Sequence, residues 1–227
     1  MEIEEVNEFG EELIRILNLE TSPVAVSLIP DTHEIPEEIE RLKESTRHCQ
    51  MIDEVRRKGT QFYTLVDDQK CNGGAAAMGL CEMSNALASG DLYYRLGRFS
   101  TLNAARRTMQ QVPTVPAGSI KAIVYAPLEK AKVMPDVVVI IANPEQIMCI
   151  SQALIRKYGG RVKTSFAGIQ SLCADGIAYP YLYGAPGVTV GCTGSRKHAG
   201  IQKSEMIIGI PIEQLEDLIE SAREIFT

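Results

Sequence analysis

No window of the 227-residue chain approaches the roughly 20 apolar residues that a membrane-crossing helix needs, and the start Met1-Glu2-Ile3-Glu4-Glu5 is acidic where a secretory signal is basic. A cytoplasmic protein without a membrane segment is the expectation. Lysine and arginine number 23 against 29 acidic residues, giving a net charge of -6, and no basic stripe interleaved with aromatics is present to neutralise phosphates. Nucleic-acid binding is therefore not expected. Repeats, low-complexity runs and a clear linker are also missing. So are the G-x-G-x-x-G and Gly-Lys-Ser/Thr fingerprints, which leaves the common nucleotide folds without support. Finally, none of the six cysteines, Cys49, Cys71, Cys81, Cys149, Cys173 and Cys192, forms a close C-x-x-C pair, and without a secretory signal a disulfide framework has no basis. Thiols or metal ligands are the remaining uses.

What is present is ample apolar content for a full core and a clear alternation of helical and strand periods. Val6, Phe9, Leu13, Ile16 and Leu17 predict an amphipathic opening helix. Pro23 to Pro30 reads as a buried strand, and a second helix is expected from Pro36 to about Lys58, stopping at Gly59. Phe62 to Val66 is strand-like, and a helix with Ala76, Leu80, Met83 and Leu87 on one stripe follows. The segment Leu92 to Leu96 is unassigned, and Thr101 to Gln111 is helical. Ser119 to Ala126 and Val137 to Ala142 are strands, the second so uniformly apolar that both faces of its sheet should be covered. Pro144 opens a helix that closes at Gly159-Gly160, with Val162 to Phe166 as a further strand. Ile169 to Ala178 reads as a short helix, Val188 to Val190 and Glu205 to Ile210 as strands, and Pro211 as the start of a final amphipathic helix. The expected fold is α/β or α+β, a mixed sheet covered by helices, in one compact domain or two closely packed lobes over residues 1–227. A weak sub-boundary falls near residues 113–118, at Pro113 and Pro116.

The stretch Asp67-Asp68-Gln69-Lys70-Cys71-Asn72-Gly73-Gly74 stands at a strand-to-helix junction. Backbone N–H groups and the positive end of a helix dipole favour an anion or a thiolate there, and Lys70 adds charge. Gly191-Cys192-Thr193-Gly194-Ser195-Arg196-Lys197-His198 repeats the logic after a later strand. The two loops meet if their strands run parallel; antiparallel strands put them at opposite ends. Cations stabilise thiolate, the form that attacks electrophiles or binds metal, and Arg196 could hold a carboxylate or phosphate in two hydrogen bonds. The competing interpretation is ordinary buried cysteine beside solvated loop charges. His33 and His48 read as surface or capped residues, and Asp67-Asp68 as a solvated turn.

The ordered set His48-Cys49, Lys70-Cys71-Asn72-Gly73-Gly74, Pro135-Asp136-Val137-Val138, Asn143-Pro144, Cys173-Ala174-Asp175, Gly191-Cys192-Thr193-Gly194-Ser195-Arg196 and Gly209-Ile210-Pro211 resembles the uncharacterised ArCR family, domain of unknown function 169. The resemblance covers the chain from about Pro23 onward. It implies an archaeal or anaerobic bacterial setting, and that Cys49, Cys71, Cys173 and Cys192 belong to the family pattern while Cys81 and Cys149 are extras. It carries no activity with it.

Four cysteines suffice for a cubane iron–sulfur cluster or, second in rank, a structural zinc. Their wide spacing requires tertiary folding to assemble the set. The leading expectation is an iron–sulfur or other metal centre on Cys49, Cys71, Cys173 and Cys192. Lys70, Gly73, Gly74 and Arg196 would bind a small anionic ligand or meet a redox partner beside it. The alternatives are a metal-free thiol enzyme, with Cys71 or Cys192 as nucleophile and His198 as base, and a non-catalytic anion-binding module. The acidic surface and apolar helices also permit a homodimer.

Overall fold

The first helix forms where its sequence supplies both ends. In the computed structural model, which describes residues 1–227, α1 spans Ile3–Leu17, Glu2 and Glu5 close a capping box at its start, and Asn18 ends it in the left-handed region. Then follow β1 (Val24–Pro30), α2 (His48–Lys58, stopped by left-handed Gly59), β2 (Phe62–Thr64), α3 (Asn72–Ala77), α4 (Asn85–Ala88), α5 (Asp91–Arg95) and α6 (Leu102–Met109, capped by Thr101). The remaining elements are β3 (Ile120–Pro127), β4 (Val137–Ala142), α7 (Pro144–Arg156), a π-helix (Ser171–Ala178), α8 (Tyr179–Tyr183), β5 (Gly187–Thr189), α9 (Thr193–His198), β6 (Met206–Pro211) and α10 (Leu215–Phe226). No helix is long and apolar enough to cross a membrane.

The strands form one six-stranded sheet in the order β2-β3-β1-β4-β6-β5. The expected mixed sheet is in fact antiparallel at every ladder, and parallel pairing is confined to the isolated bridges Arg41↔Tyr63 and Thr46↔Gln69. β1 pairs with both β3 and β4, so residues before and after the 113–118 segment share the centre of one sheet. Val115 donates its N–H to Ala77 and Gly118 to Gly79, which ties that segment to the end of α3.

Strand alternation sends side chains to two cores. Val137, Val139 and Ile141 face a core built with Met51, Ile52 and Val55 of α2, Ala75 and Ala77 of α3, and the π-helix. Val138, Ile140 and Ala142 face a second core closed by α1, α7 and α10. All six β4 residues are buried, as their uniform apolarity predicts. Each large side chain so buried contributes about 1.5–3 kcal/mol relative to exposure.

Three local expectations fail. Val162 to Phe166 is irregular and largely exposed, because Lys163, Thr164 and Ser165 have no second buried face to offer a sheet; only the Thr164 hydroxyl is tied in, donating to the Val188 carbonyl at 2.5 Å. The helix expected from Pro36 begins only at His48. The intervening chain is held instead by Arg41 against Asp68, at 2.9 and 3.0 Å, and by the two parallel bridges. The helix of the Ala76–Leu87 stripe breaks at Gly79, whose φ of +81° lies in the left-handed region.

The π-helix positions the site. It rests backbone-on-backbone against the sheet: a Cβ at Gly209 of β6 would meet the Gly176 carbonyl oxygen at 1.8 Å, and one at Gly187 of β5 would meet that of Asp175 at 1.9 Å. Only glycine lets the two backbones approach so closely. Runs with this wide i→i+5 pattern are rare and concentrate at functional sites.

Candidate cysteine-lined site

Cys49 is the second residue of α2, Cys71 precedes α3, Cys173 lies in the π-helix and Cys192 precedes α9. All four line a single cavity of about 650 Å³ on the α2, α3 and π-helix side of the sheet. The strands preceding Cys71 and Cys192 are edge strands running in opposite directions, so the two loops do not meet at a common end of the sheet. They meet over its face, because the segment after β2 folds back through a short 3₁₀ turn at Val66–Asp68 before α3 begins.

The thiols sense one another. Burial pushes Cys49 up to about 12, with Cys192 and Cys71 acting in the same direction and Arg47 opposing them. Cys173, almost fully buried, is raised well above the ordinary thiol range first by burial and then by Cys71, Cys192 and Cys49. Left as free side chains, these two stay protonated at neutral pH. The Ser195 backbone N–H donates to Cys192 Sγ at 3.4 Å, and Cys173 Sγ donates to Gln170 Oε1 at 3.5 Å. No group of three or more His, Cys, Asp or Glu side chains is arranged to hold a single metal ion.

Gly74 lies under this cluster: a Cβ there would sit 3.5 Å from the His48 Cβ, 3.8 Å from Cys71 Sγ and 3.9 Å from the Cys173 Cβ. Gly73 is covered by Gln170, whose side chain a Cβ at Gly73 would strike. Gln170 itself holds a φ of +55°, a strained region for a residue other than glycine, at the entry to the π-helix. His48 is not a surface residue. Its ring is buried, it lines the cavity, and its Nδ1 is 2.9 Å from the Tyr125 hydroxyl. Burial lowers its pKa to about 3, so the ring is neutral, and its buried Nε2 has no partner in the protein.

The cations lie elsewhere than the sequence suggested. Arg196 donates Nε to the Val190 carbonyl and Nη2 to the Glu205 carbonyl, each at 2.8 Å, and Nη1 to the Gln202 carbonyl. It clamps its own loop to the start of β6. Lys70 and His198 line a separate polar groove of about 790 Å³, in which Arg57 pairs with Asp53 and Lys58 with Glu54. His198 is thus not among the residues lining the thiol cavity. Cys81 accepts from the Asn72 amide outside the cavity, and Cys149 packs on the opposite face of the sheet.

The cations that do line the cavity are Arg47, at the start of α2, and Arg98, after α5. No aspartate or glutamate lines it, although the chain as a whole is acidic. Sequence reasoning missed both, since a lone arginine beside no motif gives no signal. Leu92, Tyr93, Leu96 and Phe99 complete the outer wall.

A family model described as uncharacterised ArCR, a domain of unknown function, matches residues 12–221. An uncharacterised protein of Methanocaldococcus jannaschii is 41% identical over 222 residues, spanning 97% of this chain and 95% of its own. No solved structure matches.

Proposed function

We propose that this chain, which belongs to the uncharacterised ArCR family, holds an iron–sulfur cluster on Cys49, Cys71, Cys173 and Cys192 and takes a small anion beside it. The observation that carries the reading is the convergence of four thiols from four separate segments on one cavity whose only charged lining residues are two arginines. Burial disfavours the ionised form of Cys49 and Cys173. Ligation to iron deprotonates them and supplies the compensating charge. Four thiolates around a cubane leave a net negative centre, to which Arg47 and Arg98 are the right sign. Cluster charge and nearby donors set the reduction potential. Zinc ranks second, because Zn–S bonds of about 2.3 Å draw four sulfurs into a tight tetrahedron, and the cysteines are not gathered as a single-ion site. A cubane spreads its four ligands wider.

The role that fits is electron transfer to a redox partner, or redox-assisted chemistry on a small molecule. The test is iron, sulfide and zinc content with an absorption spectrum, on protein prepared without oxygen. Near-stoichiometric iron and sulfide, lost on serine substitution at any one of the four cysteines, is the expected result. Protein carefully kept from oxygen that contains neither iron nor sulfide overturns the cluster. Zinc in their place makes the centre structural or hydrolytic.

A further inference from the structure

We propose that the outer part of the cysteine-lined cavity binds a small carboxylate with a flat apolar body, its charge held by Arg98 and Arg47 and its body lying against Tyr93 and Phe99. This deepens the anion half of the reading above, but does not depend on what the cysteines hold.

Three observations support it. First, the sign of the wall is unmixed. Elsewhere Arg41, Arg56, Arg57, Arg156 and Arg223 are each met by a carboxylate. The side chain of Arg98 has no hydrogen-bond or ion-pair partner, as is also true of Arg106, Arg107 and Arg161, but of these four only Arg98 lines the cavity; Arg47 reaches only the neutral Gln50 Oε1, at 3.3 Å. Second, no aspartate or glutamate lines the cavity, so its own carboxylates do not oppose an entering anion. Third, the wall beside the arginines is apolar: Leu92, Tyr93, Leu96 and Phe99 come from α5 and the turn after it, and Leu96 is 60% exposed at the mouth. A guanidinium facing an apolar wall favours a ligand with one compact charged end and a hydrophobic remainder. A guanidinium grips a carboxylate through two parallel hydrogen bonds. Inorganic phosphate, which has no apolar body, would leave that wall unused.

The test is calorimetric titration of the full-length protein, prepared without oxygen, with benzoate, benzamide and inorganic phosphate; iron is measured on the same sample. Saturable benzoate binding is expected, with benzamide, the neutral molecule of the same shape, weaker by tenfold or more. Arg98→Gln should weaken benzoate by tenfold or more at an unchanged urea midpoint, since Arg98 is exposed and supports no other group. Iron-bearing protein that ignores benzoate, or binds it equally well as Arg98→Gln, overturns the carboxylate site and leaves the cluster standing. Iron-free protein that still discriminates benzoate from benzamide does the reverse. Phosphate binding tighter than benzoate overturns the apolar-bodied class.

Discussion

Replacing Gly209 by alanine should unseat the π-helix from the sheet. The added methyl carbon would lie 1.8 Å from the Gly176 carbonyl oxygen, 2.7 Å from its carbon and 3.1 Å from Pro180 Cγ. Ordinary contact begins near 3.4 Å, so the π-helix or β6 must separate by about 1.6 Å. Neither can yield easily, because β6 is paired on both sides, with β4 and β5, and the π-helix is buried along its whole length. Overpacking a close-packed interior costs about 1–3 kcal/mol where side chains give way; here the obstacle is backbone. The expected loss is therefore roughly 3–5 kcal/mol, in the range reserved for severe core damage. Urea unfolding followed by far-ultraviolet circular dichroism measures it. The comparison variant is Gly194→Ala in α9, where the new methyl meets only Cys192 Sγ at 3.6 Å and φ is not left-handed. That change should be neutral, or stabilising by up to about 1 kcal/mol, because alanine suits a helix better. A Gly209→Ala midpoint within 0.5 kcal/mol of the parent, by the same linear extrapolation, would refute the seating of the π-helix on the strand.

Iron content should fall on serine substitution of Cys49, Cys71, Cys173 or Cys192, but stay at parental level for Cys81→Ser and Cys149→Ser, which lie outside the cavity. Loss of iron in either of those two controls would show that the cavity is not the locus. Arg56, whose side chain is 1% exposed and joins Asp53 to both oxygens of Glu205, should cost about 3–5 kcal/mol when changed to alanine; a urea midpoint near the parent's would contradict this. The pH dependence of stability has two opposing sources. Asp175, buried in the π-helix and accepting from Thr189, has its pKa raised from 3.8 to about 7 by burial, so its contribution is complete below 3.8 and is lost as pH rises to 7. His48, lowered by burial from 6.5 to about 3, contributes in the opposite sense, and its stabilisation is lost as pH falls from 6.5 to 3. Asp136, raised to about 6, adds to the aspartate side. Asp175→Asn should therefore gain on the parent by roughly 3–5 kcal/mol between pH 4 and 7, and His48→Gln should gain on it as pH falls over the same interval. Parallel urea-midpoint curves for all three proteins would defeat the assignment.

The features legible in the sequence were those with local causes. β4 is evident from six consecutive apolar residues, α1 from its amphipathic spacing, the start of α7 from Pro144 and the end of α2 from Gly59. The four cysteines were legible as a set only through the ordered resemblance, since no spacing along the chain announces their meeting. What escaped notice depends on tertiary surroundings. Arg196 looks like an anion holder until three carbonyls are seen to occupy it. Arg98 looks like any loop charge until the absence of a carboxylate around it gives it meaning. His48 reads as a surface or capped residue, yet its ring is buried and bonded to Tyr125, on a strand 77 positions away.

The placement of the cysteines also divides the chain in an unequal way. Two of them precede the Pro113–Gly118 segment and two follow it, yet β1, from the first part, is threaded between β3 and β4 of the second. Anything that bridges the cavity is therefore a clasp between two interleaved halves of one sheet. Occupancy must then report on assembly: a protein cleaved at that loop would keep its sheet by strand pairing alone, but each fragment by itself would carry half a binding site and retain nothing. Filling the cavity would in turn hold the fragments together, adding its binding free energy to that of the sheet.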